Sequence, residues 1–459
     1  MTNKNFVDRA RLAACTADEE AKFVALHPKS KDAALLAGTS LIGGVPMPWM
    51  KRWPGAFPIS VTEARGAKFL DIDGNEYIDF CLGDTGSMTG HAVDEINSAI
   101  TAQLNRGSTV MLPSVDSTWV GQELSRRFGL PKWQFSISAT DANRFVLRLS
   151  RHLTKRPKVL VHDWCYHGTV DETLVVAGAN GETISRYGAI GPQVHPSLTT
   201  RVVPYNDLEA LEKQLSFGDV ACMLIEPALT NIGIVLPEPG YLSGVRELTR
   251  KHGVILIVDE THTICAGPGG ATKLWDLEPD MLVIGKTIGG GIPVAAYGMS
   301  QNLATRAEES LLSHDVDVSG LGGTLSGSVL AMAAVRATLS NALLPEQFEK
   351  TIRLATRWSD GVENLIQNYN LDWSVQQLGC RAEYWFCSSP KNGAQAAAGV
   401  DPELENFMHL WALNRGVLLT PFHNMALLSP FHNEADIDTH TQIFESALAA
   451  LFSWRRNEN

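Results

Sequence analysis

The chain has 459 residues, 44% of them hydrophobic and 19% charged, a profile that suits a folded globular protein long enough for two or three domains. Its formal net charge of −12 argues against a nucleic-acid-binding surface, which is normally basic. The start of the chain lacks a basic stretch followed by an apolar one, no apolar run approaches the ~20 residues of a membrane span, and seven scattered cysteines form no C-x-x-C pair. A cytoplasmic protein with reduced thiols is expected, with no metal, membrane or nucleic acid among its partners.

In chain order, the first forty residues read as helical and end near Gly43 and Gly44. From Ala67 to Asp79 apolar and polar residues alternate around Asp73 and Gly74, which predicts a β-hairpin. From about residue 90 to 300, helical patterns alternate with short apolar runs at 134–138, 158–162, 221–226, 254–258 and 281–284. Runs that are apolar nearly throughout belong to strands covered on both faces, so the expectation is an α/β layer fold with a mainly parallel central sheet. Beyond about residue 330 come long helical patterns, strands near Trp373 and Ala382, and an amphipathic helix from Asp436. This reads as a smaller α+β domain, and the division expected is 1–75, 76–335 and 336–459, with both termini contributing to the small domain.

Two residues carry the chemistry. Lys286 follows an apolar strand and precedes the triplet Gly289, Gly290 and Gly291, which delivers an amine onto a flexible turn where it can be shielded and aimed. Asp259 ends a second buried strand pattern and is followed by Glu260. A lysine for an aldehyde and an aspartate for a pyridinium nitrogen are what pyridoxal phosphate chemistry requires. The rival is a nucleotide-binding ATPase module, since Gly285, Lys286 and Thr287 resemble the end of a phosphate loop. Its leading glycine would have to stand where Asp280 stands, and the loop would follow the acidic strand instead of preceding it. Together with Ser138 and Glu226, Asp259 and Lys286 fall where ligands collect in an open parallel sheet, beyond the carboxyl ends of the strands.

These residues belong to an ordered set: Asp73 to Asp79, Gly90 and His91, Ser138 to Ala142, Cys165 to Gly168, Glu226 and Pro227, Asp259 and Glu260, Gly285 to Pro293, and Gly323 to Gly327. In that order they resemble the class III aminotransferases of the fold-type I pyridoxal phosphate enzymes, in the branch close to glutamate-1-semialdehyde aminomutase. The resemblance implies that Lys286 holds the cofactor as a Schiff base and shuttles a proton, and that Asp259 keeps the ring nitrogen protonated. It implies further that Ser138, Ala139 and Thr140 open a helix whose amides bind the phosphate, with Ala139 where the family usually has glycine. Tyr166 and Thr261 would face the two sides of the ring, and Asn231 its hydroxyl. Thr324 would reach the phosphate from a neighbouring subunit, making the site a shared feature of a homodimer.

The substrate side departs from that branch. Met50 stands where the aminomutase has a carboxylate-binding arginine, Thr85 where it has a tryptophan and Asn424 where it has an acidic residue. Arg381 is the candidate for a substrate carboxylate, with a salt bridge to Glu383 or Asp372 as the alternative. Trp49, Trp53, His262 and the loop from Phe422 to Met425 are candidates for an apolar substrate wall, and His167 reads as a structural neighbour. The expectation is therefore an aminotransferase that moves an amino group from a small amine or amino acid to a keto acid. An aminomutase, racemase or decarboxylase on the same scaffold is the alternative.

Overall fold

The computed structural model describes residues 7–191, 194–311 and 317–452. Its centre is a seven-stranded sheet in the spatial order Lys132–Ser136, Ala295–Met299, Met281–Ile284, Ile255–Asp259, Val220–Ile225, Lys158–His162 and Thr200–Val203. All neighbouring pairs are parallel except the two made by Ala295–Met299. Val220–Ile225 and Ile255–Asp259 are buried at every position, because helices cover both faces of the sheet. The helix Tyr241–Lys251 makes the crossover between these two strands, and Ala139–Thr154 follows the edge strand. The apolar runs at 158–162 and 281–284 match the strands found, whereas the antiparallel strand Ala295–Met299 and the edge strand Thr200–Val203 were not anticipated.

A second sheet joins distant parts of the chain. Val61–Arg65, Lys68–Asp71 and Glu76–Asp79 pair in succession, and Val417–Leu418 adds in parallel to the last. The turn at Gly74 has φ +96°, as a hairpin tip allows for glycine. The helical opening of the chain is two helices, Arg9–Leu26 and Pro28–Ala37, with Pro28 starting the second where proline is tolerated. Buried Glu19 from the first accepts from Asn414 Nδ2 at 2.8 Å and pairs with Arg415 at 2.9 Å, which ties the beginning of the chain to its last quarter. No described helix is long and apolar enough to cross a membrane.

Ser374–Leu378, Arg381–Trp385 and Met425–Leu427 form a separate three-stranded antiparallel sheet. Its tight turn carries Gly379 at φ +58°, where an added Cβ would lie 2.0 Å from the carbonyl oxygen of Cys265. Cys380 N donates to that same oxygen at 3.0 Å. Backbone therefore meets backbone at this point, and the next residue, Arg381, is brought up behind the end of the strand Ile255–Asp259.

Candidate active site

The carboxyl ends of the parallel strands converge on a cavity of about 500 Å³. Ser138, Ala139, Thr140, Tyr166, Asp259, Thr261 and Lys286 all line it, together with Trp49, His167 and His262. Seven of the ten residues expected to hold the cofactor or a substrate carboxylate are thus brought together, with the wall candidates Trp49 and His262; Trp53 and the loop from Phe422 to Met425 are not among the lining residues. The other three of the ten are not on its wall: Asn231 is half-buried in a loop, Thr324 is exposed on a separate hollow beside Phe135 and Met111, and Arg381 lies fully buried behind His262.

One wall is a helix N-terminus. Ser138 caps Ala139–Thr154, its hydroxyl accepting from Asp141 N at 3.2 Å, and the first amides of the helix are left to face the cavity. The loop after Lys158–His162 presses against this end. A Cβ on Gly168 would sit 2.1 Å from Thr140 Oγ1, and Thr169 N donates to that oxygen at 3.1 Å. The methyl of Ala139 is accommodated because its neighbour is Gly285, whose added Cβ would meet it at 3.1 Å.

Asp259 forms the floor. Its Oδ2 accepts from Asn143 Nδ2 at 2.9 Å and lies 2.9 Å from His167 Nδ1, while Oδ1 accepts from Thr261 N at 3.1 Å. Burial would push this carboxyl up, but His167, Thr261 and Asn143 together hold it below the usual carboxylate range. The partner shifts the opposite way: against the effect of burial, Cys165 and Asp259 raise His167 to about 10. His167 thus has a place in the site that its sequence context did not reveal. Glu226 and Glu260 have structural work instead. Glu226 accepts from Tyr166 N at 3.0 Å and Thr230 N at 3.1 Å, and Glu260 from Ala271 N at 3.1 Å.

Lys286 heads the turn after Met281–Ile284 in a left-handed conformation, φ 50°. Its Nζ donates to Asp84 Oδ2 at 2.9 Å and lies 2.8 Å from His262 Nε2. Beyond His262, Arg381 Nη2 lies 2.9 Å from its Nδ1 and donates to Thr85 Oγ1 at 2.5 Å. Loss of hydration would raise the Asp84 carboxyl, but Lys286, His262 and Arg381 hold it well below its usual range. Burial, reinforced by Lys286 and Arg381, keeps the His262 imidazole well below its ordinary value. Arg381 does not turn to the Glu383 beside it, which accepts from Ile234 N at 2.7 Å and faces His423 at 3.6 Å. Asp84 was missed in the sequence because its only signal is tertiary, a contact across 202 residues.

The model of the family described as aminotransferase class-III matches residues 49–448. The chain belongs to the class III aminotransferases. Its fold is that of the fold-type I pyridoxal phosphate enzymes, and its cofactor is pyridoxal 5'-phosphate. A glutamate-1-semialdehyde 2,1-aminomutase of Chloroflexus aggregans is 33% identical over 443 residues, 93% of this chain and 100% of its own. The crystal structure of a glutamate-1-semialdehyde-aminomutase from Pseudomonas aeruginosa is 45% identical, with a TM-score of 0.95 over 97% of this chain and 99% of that one. A lysine-to-alanine variant of that protein is described in complex with PMP. An omega-transaminase from Sphaerobacter thermophilus is 26% identical, with a TM-score of 0.84 over 92% of this chain and 97% of that one. The family thus accounts for amino-group chemistry, and two of these three relatives carry the name of the aminomutase, which the sequence had ranked second.

The residues present fit the cofactor. The capped helix end suits its phosphate, and the carboxylate of Asp259 its ring nitrogen. Thr261 Oγ1 is buried without a hydrogen-bond partner on the cavity wall, so a polar group brought beside it would be satisfied.

Proposed function

We propose that this class III chain moves an amino group on a small amino compound and that the move is intramolecular, the reaction of an aminomutase. The observation that carries the amino-group chemistry is that Lys286 and Asp259 open onto one cavity headed by the helix end at Ser138. The intramolecular form is supported by the relatives at 33% and 45% identity that are named glutamate-1-semialdehyde aminomutases.

When bound, pyridoxal phosphate supplies an aldehyde and a ring that accepts the electron pair left by a broken C–H bond. The chain does the rest. The amides that follow Ser138 bind an anion at the positive end of their helix. Asp259, held ionised by His167 and Asn143, stabilises positive charge at the ring nitrogen. Lys286 would hold the cofactor, and its Nζ would take up and return a proton. Trp49 and Tyr166, with ring centres 5.5 Å apart, wall the cavity against water.

Transfer to a separate keto acid is the second reading. Met50 favours it, since the arginine that the resemblance assigns to an aminomutase's substrate carboxylate is absent there. Against that, neither Met50, Thr85 nor Asn424 belongs to the cavity wall, and Thr85 is engaged by Arg381. The two readings separate by stoichiometry. Given one amino compound and no acceptor, an aminomutase converts it continuously. An arrest after one equivalent of product per site, relieved by adding a keto acid, would establish transamination instead.

Assembly as a homodimer is part of this proposal. Met111, Leu112 and Leu325 are apolar and exposed near Thr324, at 76%, 70% and 54%, a surface that a second copy would cover. Sedimentation of Leu112→Glu should show loss of the dimer together with loss of activity.

A further inference from the structure

We propose that Arg381 sets the donor direction of a ring that runs by hydrogen bonds from Arg381 through His262 and Lys286 to Asp84 and is closed by an ion pair, and so presents Lys286 as an amine whose lone pair is held by the Nε2–H of His262. The argument begins with what a guanidinium is able to do: it donates and never accepts. Arg381 Nη2 is 2.9 Å from His262 Nδ1, so that nitrogen is the acceptor. The hydroxyl of Thr85, itself accepting from Nη2, lies 3.0 Å from the same Nδ1 and has its hydrogen free to donate there. A neutral imidazole that accepts at Nδ1 carries its hydrogen on Nε2.

That hydrogen points at Lys286 Nζ, 2.8 Å away. An ammonium has only donors, so it would set donor against donor; a free amine accepts there and still gives one hydrogen to Asp84 Oδ2 at 2.9 Å. Asp84 Oδ1 stands 3.8 Å from Arg381 Nη2, beyond hydrogen-bond reach, and closes the ring as an ion pair only. The reverse polarity needs an Nδ1–H aimed at the guanidinium, and so does an imidazolium, which would also set its charge beside that of Arg381. Formal charge agrees: Arg381 and Asp84 cancel, so neutral His262 and Lys286 leave the cluster without net charge, which a part-buried site favours. The groups facing His262 are Lys286, Asp84, Arg381 and Asp259; burial, together with the Arg381 guanidinium, outweighs the two carboxylates in disfavouring its charged form.

Arg381 is on this reading a positioning residue that acts through His262, and its fully buried side chain is committed to the ring instead of to a substrate carboxylate. The inference rests on Lys286 being the reacting amine, as proposed above, and is indifferent to whether the amino group stays within one molecule or passes to another.

The test reads the tautomer directly. In 15N-histidine-labelled full-length protein, with and without pyridoxal phosphate, the resonance pair lost in His262→Gln should show Nδ1 unprotonated and Nε2 protonated from pH 6 to 9. In Arg381→Met the Nδ1–H form should appear. A wild-type His262 protonated at Nδ1, or at both nitrogens, overturns the proposal. A second measurement is the rate at which cofactor-free protein captures pyridoxal phosphate at Lys286, followed by absorbance. His262→Gln keeps an acceptor for Arg381 and a donor for Lys286, and should stay within about threefold of wild type. His262→Leu and Arg381→Met should slow capture by about tenfold, the scale of one hydrogen bond to a charged group. Equal rates for the Gln and Leu variants overturn the ring. Neither measurement depends on the reaction class, so a transaminase result in the stoichiometry experiment would leave this outcome standing.

Discussion

His167 Nδ1 lies 2.9 Å from Asp259 Oδ2, with both side chains buried beneath the cavity. The imidazole does for this aspartate what solvent cannot do in a closed site: it orients the carboxylate and keeps it ionised against burial.

Breaking the pair should therefore weaken the cofactor's hold. Asp259→Ala removes the partner of the ring nitrogen and leaves His167 unpaired, a loss of about 3–5 kcal/mol for a buried pair. His167→Asn should fold and bind pyridoxal phosphate about tenfold more weakly, since a single oriented donor is changed. Equilibrium dialysis measures both, and unchanged affinity in either variant would remove the role given to the pair.

Borohydride should fix pyridoxal phosphate on Lys286, because the strand end and the glycine turn bring this amine, among the described lysines, to the cavity wall. Peptide mass spectrometry locates the adduct. Its appearance on another lysine would refute the assignment.

The pH dependence of stability should change sign. His162 and His440 are buried with values lowered to about 3, and His409 and His432 to about 4, chiefly by burial, against an ordinary 6.5. Between those values the unfolded chain holds protons that the folded chain refuses, so this stability is full above 6.5 and is lost on acidification. His167 behaves in the opposite sense: its raised value gives stability below 6.5 that is lost as pH rises through about 10. Calorimetry in buffers of different ionisation enthalpy should find proton uptake on unfolding at pH ~6 and release at pH ~8.5. Release at the lower pH would contradict the neutral buried histidines.

Gly379→Ala tests the close approach of the turn at Gly379 to the backbone of Cys265. With φ at +58° and a carbonyl oxygen 2.0 Å from the new methyl, the turn has to move. Roughly 2 kcal/mol or more should be lost, from backbone strain and overpacking together. Denaturant unfolding of the cofactor-free protein reports it, and a loss below about 0.5 kcal/mol, the range of ordinary surface substitutions, would mean the docking is not as tight as described.

Much of this site was legible because its residues sit beside local patterns. Lys286 and Asp259 follow buried strands, and Ser138 precedes a helix, so the rule that ligands gather at strand ends placed all three. The class of fold followed from the same apolar runs. What escaped the sequence was everything defined by contact alone. Ala295–Met299 is apolar like its neighbours, and nothing in its composition announces that it runs the other way. Asp84 and Thr85 lie in a loop with no strand or helix pattern, and His262 was read as wall without its two partners. Arg381 was picked out for its unusual place in an apolar segment, but its burial behind His262 depends on the turn at Gly379.

The turn that carries Asp84 has a kinetic consequence. Leu82, Gly83, Asp84 and Thr85 all lie in the left-handed region, with φ of 48°, 58°, 49° and 83°, a run that costs about 1–2 kcal/mol for each residue with a side chain. Its holding partners come from far down the chain: Lys286 is 202 residues from Asp84, and Arg381 is 296 from Thr85. Local bonds such as Asp84 N to Cys81 O at 2.9 Å and Ser87 N to Leu82 O at 2.8 Å shape the loop, but until both partners arrive its side chains are not held, and contacts of such separation form late. A refolding chain should accordingly regain its central sheet before it regains the ability to hold pyridoxal phosphate, with an interval during which the protein is built and its amine is not yet aimed.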